Sequence, residues 1–208
     1  MDDAEFDRAL LASAFKLAGE EGWRRVSVAE AARRAGLKLD RARARFPARA
    51  VLLLRFGRLA DQAALAESAG EGSPRERLFD LLMRRLDVLQ AHRAGMLALL
   101  HWLPAAPAAA CLLAAANLRS MRWMLDGAGI DSRGLCGRLR AKGLLAVWLW
   151  VVRAWQADQS EDLASTMAAL DQALRRAEQV ERWLHPGAEA DGSAAQAAPA
   201  EPPPSAPA

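Results

Sequence analysis

The stretch "GLKLDRARARFPAR", Gly36 to Arg49, sets Arg41, Arg43, Arg45 and Arg49 around a Phe-Pro step. Its pattern predicts a short basic helix over 38–45. Proline bars its predecessor from the helical region and cannot continue the ladder, so Phe46-Pro47 ends the helix and a fourth begins at Ala48. Upstream, "SVAEAARRAG" (Ser27 to Gly36) predicts another short helix. Ser27 is placed to accept from the amide of Glu30 while the Glu30 side chain reaches back, a capping box. Val28, Ala31, Ala32 and Ala35 give the apolar side, and Gly36 stops the helix.

Two short helices joined by a glycine-bearing turn, the second of them basic, have the layout of a helix-turn-helix. A helical wheel over 38–45 gathers Leu39, Ala42 and Phe46 on one side, which is expected to face the neighbouring helices. Asp40, Arg41 and Ala44 are then expected to point outward, with Lys38 and Arg45 on one flank and Arg43 on the other. Ala44 leaves room for close approach, and the planar fork of arginine suits guanine edges or phosphates. Charge supports a polyanion as partner. Residues 24–58 hold eleven basic residues against Glu30 and Asp40, whereas the whole chain is only +3.

The remainder of the 208 residues also reads as helix, so the fold class is all-α. The first helix is expected over 3–20, with Phe6, Leu10, Ala14 and Leu17 along one side. The fourth carries Val51, Leu52, Phe56, Leu59 and Ala63 and fades toward residue 69. At "SAGEGSP" a second capping box, Ser73 with Glu76 and Pro74 in the first turn, restarts the chain and marks the expected domain boundary. Further helices are expected over 74–90, 92–102, 107–127, 134–157 and 160–185. The division is residues 1–58, a linking helix, residues 73–185, and a Pro/Ala-rich tail over 186–208 expected to be disordered. No run of 18 apolar residues appears, so no membrane span is expected. The acidic start "MDDAEFDRAL" lacks the pattern of a secretory signal, which makes the cytoplasm the expected compartment. Cys111 and Cys136 are expected to be reduced core thiols.

Residues 5–58 resemble the N-terminal domain of TetR-type transcriptional regulators. The resemblance lies in "LAGEEGWRRVSV", "AEAARRAGL", a seven-residue helix, "FP" and the "ARAVLL" start of a long helix. It implies a three-helix DNA-binding domain, a larger helical ligand-binding domain, and a homodimer through the last two long helices; the ligand expected, from the tryptophans described below, is an apolar small molecule or lipid. On this reading the residues meeting a double-stranded operator are Ser27, Lys38, Asp40, Arg41, Arg43, Ala44, Arg45 and Arg49. Lys38, Asp40 and Arg43 stand where the family usually has Ser or Thr, Gly or Ala, and Tyr. A second resemblance covers about 112–177, especially "RAKGLLAVWLWVVRAWQADQSEDLASTMAALDQAL", which is similar to the TetR-fold lipid-binding accessory proteins of ubiquinone biosynthesis. It keeps a lipid-handling role open beside the regulator.

Six of the seven tryptophans follow residue 100: Trp102, Trp123, Trp148, Trp150, Trp155 and Trp183. Trp148, Val151, Val152 and Trp155 share a helical face, so Trp102, Trp123, Trp148 and Trp155 are the candidate ligand-binding residues, with core packing or a dimer interface as the alternative. Catalysis is not expected: His92, His101 and His185 are scattered, tyrosine is absent, and no nucleophile or metal-binding spacing occurs. No cofactor or metal is expected.

Overall fold

The computed structural model describes residues 1–67 and 70–184, with side chains as far as Glu181. Among these residues the regular elements are all helical. They are α1 (Asp3–Glu21), α2 (Val28–Arg34), α3 (Leu39–Arg45), α4 (Arg49–Leu65), α5 (Pro74–Gln90), α6 (Arg93–Trp102), α7 (Pro107–Gly127), α8 (Gly134–Ala157) and α9 (Ala164–Leu184). Single 3-10 turns at Trp23–Arg25 and Leu103–Ala105 join neighbours.

Local chemistry explains most of the boundaries. Asp2 and Glu5 form a capping box at the start of α1, and Ser73 and Glu76 form the expected one at α5 with Pro74 in the first turn. At α2 only half of the expected box exists. Ser27 accepts from the Glu30 amide at 3.1 Å, but the Glu30 carboxylate turns to Arg33 and Arg34, two stronger partners. After α2 the chain reverses at Gly36, whose φ of 65° suits glycine, and the Leu37 amide closes back on the Ala32 carbonyl at 2.8 Å.

Two boundaries differ from the expectation. The fourth helix ends at Leu65, short of residue 69, which lies outside the described residues. The ninth starts at Ala164 rather than 160 because the Asp158 carboxylate holds the intervening corner as a turn. It accepts from the Ser160 amide and hydroxyl at 3.0 and 2.5 Å and from those of Thr166 at 2.8 and 2.7 Å. Leu163 adopts a φ of 55° in that corner. The expected tail lies outside the described residues.

α1, α2, α3 and the first turns of α4 enclose an N-terminal core of Phe6, Leu10, Phe15, Trp23, Phe46 and Phe56, each almost fully buried. α4 runs on to pack against α5 and α7, and α8 and α9 pair beside them. The two bundles meet most extensively where α1 lies on α6. A Cβ on Gly95 would stand 2.1 Å from the Phe15 carbonyl oxygen, and one on Gly19 2.9 Å from the Ala94 Cβ, so the absence of side chains sets this close approach. No single helix among the described residues is long and apolar enough to cross a membrane. Cys111 and Cys136 are both exposed, not core residues: each falls on the outward side of its helix.

Candidate nucleic-acid interface

The orientation of α3 follows from long-range ion pairs. Arg41 donates to Asp3 at 2.5 Å and to the Met1 carbonyl at 3.2 Å, and its guanidinium lies 4.6 Å from the centre of the Phe6 ring. Arg45 donates from Nε to Asp7 Oδ1 at 2.6 Å and from Nη2 to Oδ2 at 2.8 Å, and also pairs with Asp3. Arg55 of α4 shares Asp7. Partial burial alone would raise the Asp7 carboxyl, but hydrogen bonds from Arg45 and Arg55 outweigh it and hold the group below the usual carboxylate range. The acidic start of α1 thus engages two of the four arginines in the opening stretch.

These contacts turn the helix from its expected setting. Ala42 and Phe46 point inward as expected, but Leu39 is 46% exposed. Arg41 and Arg45 lean toward α1 and are only partly exposed, whereas Leu39, Asp40, Arg43 and Ala44 form the open face. Lys38 precedes this face and is exposed; it caps α3 without a side-chain hydrogen bond. Arg43 is exposed and donates to the Pro47 carbonyl at 2.6 Å. Ser27 is exposed at the start of α2, near the exposed Arg24 and Arg25.

Arg49 has a different setting. It donates to the Trp23 and Arg24 carbonyls at 3.3 and 3.4 Å, and its guanidinium lies 5.0 Å from the Trp102 ring centre. Trp102 in turn faces Trp23, with ring centroids 6.5 Å apart. Arg49 therefore joins the helix-turn-helix to the end of α6. Between the starts of α2 and α4 and the side of α3 that faces them lies an open hollow of about 570 Å³, lined by Val28, Leu39, Ala42, Arg43, Phe46 and Arg49 among others.

The four candidate ligand-binding tryptophans are not stacked on one another. Trp102 belongs to the joint just described, and Trp123 is 59% exposed on α7. Trp148 and Trp155 are buried in α8, filled in by arginines. Arg85 lies 4.4 Å from the Trp148 ring centre and Arg93 4.7 Å from that of Trp155, whose Nε1 donates to Gln90 at 2.8 Å. The face shared by Trp148, Val151, Val152 and Trp155 is buried. The Trp183 side chain lies outside the described residues.

Sequence reading missed a buried polar set linking three helices. Arg85 of α5 donates to Asp61 of α4 at 2.8 Å and to Asn117 of α7 at 3.0 Å, and Ser120 of α7 donates to the other Asp61 oxygen at 2.5 Å. Burial weakens the hold of Arg85 on its proton, and Asp61 opposes that effect. The signal available in sequence was Asp61 and Arg85 standing within apolar helical runs.

The arrangement of α1–α3, the long α4 and the packed bundle beyond it recurs in solved structures. A TetR transcriptional regulator from Nitrosomonas europaea ATCC 19718 superposes with a TM-score of 0.68 at 22% identity, over 84% of this chain and 99% of that one. The chain has the TetR fold. A TetR-family regulator from Streptomyces coelicolor gives 0.61 at 17% identity over 93% and 87% of the two chains, and a TetR regulator from Rhodococcus sp. RHA1 gives 0.58 at 21% over 84% and 97%. No family model matches the chain, and no curated protein matches it. α2 and α3 are the two short helices of this fold in the chain, and the open face of α3 carries Leu39, Asp40, Arg43 and Ala44.

Proposed function

We propose that this protein is a homodimeric, DNA-binding transcriptional regulator that lays α3 in the major groove of an operator. The reading is carried by the open face of α3, with Leu39, Asp40, Arg43 and Ala44 preceded by exposed Lys38, on a TetR fold. Arg43 and Lys38 supply positive charge, Asp40 offers an acceptor suited to a cytosine amino group, and Ala44 permits close approach. Ser27 offers a hydroxyl to a phosphate. Arg41 and Arg45 act first as positioning residues, held by Asp3 and Asp7, and Arg49 sets the start of α4. Residues 1–58 are the DNA-binding part, and the protein works in the cytoplasm without catalysing a reaction.

Residues 73–185 are the dimerising and sensing part. The exposed Leu135, Leu139, Leu149 and Trp150 of α8 and Val180 of α9 support a two-fold contact through the last two helices. The Asp61–Arg85–Asn117 set supports sensing, because it ties α4, which enters the N-terminal bundle, to α5 and α7. An apolar molecule that parts α7 from α8 near Trp148 would act on α4 through Arg85, changing the setting of α3.

Genome-wide occupancy and selection from a random duplex pool test the reading. The expected result is a small set of sharp palindromic sites with half-sites about one helical turn apart. Diffuse, sequence-independent binding overturns it, and the lipid-binding accessory role of ubiquinone biosynthesis then takes its place.

A further inference from the structure

Leu39 is an exposed leucine at the first position of a seven-residue helix, on the same face as Asp40 and Arg43. It does not close the N-terminal core, which Ala42 and Phe46 fill from the same helix. Beside it the 570 Å³ hollow runs inward over the apolar Val28, Ala29, Ala42, Phe46 and Pro47, while Arg43 and Arg49 stand on its border and Lys38 immediately precedes Leu39. An apolar floor within a cationic rim complements a polyanion that presents an apolar group a short way beneath its charges. The major groove of a duplex has one such group, the C5 methyl of thymine. Asp40, next along the same face, disfavours an anionic lipid surface and suits a base-pair edge bearing an amino group.

We propose that Leu39, with the hollow beside it, reads the C5 methyl of a thymine in each half-site. The inference rests on the regulator reading and adds the base identity that this chain selects. Leu39 then works by apolar contact with the methyl, and Lys38 and Arg43 hold the flanking phosphates at the right depth.

The test uses the full chain and a duplex selected from a random pool. Each thymine of one half-site is replaced singly by deoxyuridine, which removes only the methyl group. At one position the substitution is expected to weaken binding of the wild-type protein about fourfold, the factor for one buried methyl-sized group. Leu39→Ala is expected to bind the thymine and deoxyuridine duplexes equally, with its thermal midpoint unchanged because the side chain is exposed. The proposal is overturned if no thymine position responds, or if the response persists in Leu39→Ala. It is also overturned if Leu39→Ala abolishes binding to anionic vesicles while duplex discrimination is unchanged. Failure to select any duplex overturns the regulator reading and this inference with it, an outcome distinct from a selected duplex that is indifferent to its methyl groups.

Discussion

Arg45 of α3 meets Asp7 of α1 through two parallel hydrogen bonds, Nε to Oδ1 at 2.6 Å and Nη2 to Oδ2 at 2.8 Å. Both side chains are largely covered, at 22% and 18% exposure. Arg45→Ala should therefore cost about 1 kcal/mol of stability, since Arg55 keeps Asp7 partnered. A joint Arg41, Arg45 change would lower the thermal midpoint as well as any DNA affinity, contrary to what exposed arginines would give. The sign of the pH effect follows from the Asp7 carboxyl lying below its ordinary value of 3.8. Its contribution is present above 3.8 and is lost as pH falls through the lower folded value. Urea titrations of wild type and Asp7→Asn at pH 7 and pH 3 check this, with the difference between the two proteins expected to shrink at pH 3.

Asp3 holds Arg41 at the outer end of the same contact, and the Arg41 hydrogen bond keeps its carboxyl below the ordinary range. On the regulator reading, Asp3→Asn should release Arg41 to a DNA phosphate. The slope of log affinity against log salt is then expected to steepen by about 0.9, one further phosphate contact. An unchanged slope would show that Arg41 does not reach the backbone of the duplex.

The inner and outer sides of α3 show what sequence could and could not tell. Period gave α5, α7 and α8 their extents, and the capping box and prolines lie within a residue or two of the starts they set, Ser73 and Pro74 for α5 and Pro107 for α7. The wheel over 38–45 placed Leu39 inward because it is apolar. The helix turns on partners thirty-eight residues away, Asp3 for Arg41 and Asp7 for Arg45, and no local pattern encodes such pairs. The tryptophans are a parallel case. Their spacing correctly joined Trp148 to Trp155 on one face, but whether that face borders a cavity depends on Arg85 and Arg93, which come from other helices.

The junction of the two bundles should tolerate almost no added volume. A methyl on Gly95 would lie 2.1 Å from the Phe15 carbonyl oxygen, and backbone cannot yield as a flexible side-chain tip does. Gly95→Ala is expected to destabilise the protein by about 1–3 kcal/mol. Gly57→Ala, where a Cβ meets nothing within 4 Å, serves as the control and should be neutral or slightly stabilising. Chemical denaturation of the two variants gives the comparison.

His92 sits in this junction, its ring 5.8 Å from that of Phe15 and 5.5 Å from that of Phe56. Burial lowers its affinity for a proton below the ordinary value of 6.5. The unfolded chain therefore binds the proton more readily, so the neutral histidine's contribution is full above 6.5 and is lost as pH falls through the lower folded value. Stability of the wild type should decline between about pH 7 and pH 5, and His92→Gln should remove part of that slope. Parallel slopes for the two proteins would assign the acid sensitivity elsewhere.

The outer side of α8 gives the last expectation. Leu135, Leu139, Leu149 and Trp150 recur at helical spacing and are all more than half exposed, although the opposite face of the same helix is buried. Val180 adds to the apolar surface from α9. At about 1.5 Å per residue this helix of twenty-four residues offers a strip long enough for a two-fold contact of ordinary size. If the proposed dimer forms there, Leu139→Glu together with Trp150→Glu would place a carboxylate opposite its own copy or against an apolar partner, so that dimer should dissociate at micromolar concentration while helicity is retained. Light scattering reads the mass and circular dichroism the fold. The monomer should also lose its preference for paired half-sites over a single one, because only the two-fold fixes the spacing between two copies of α3. A variant that keeps the wild-type mass would move the dimer contact to another surface and leave that spacing without a structural basis.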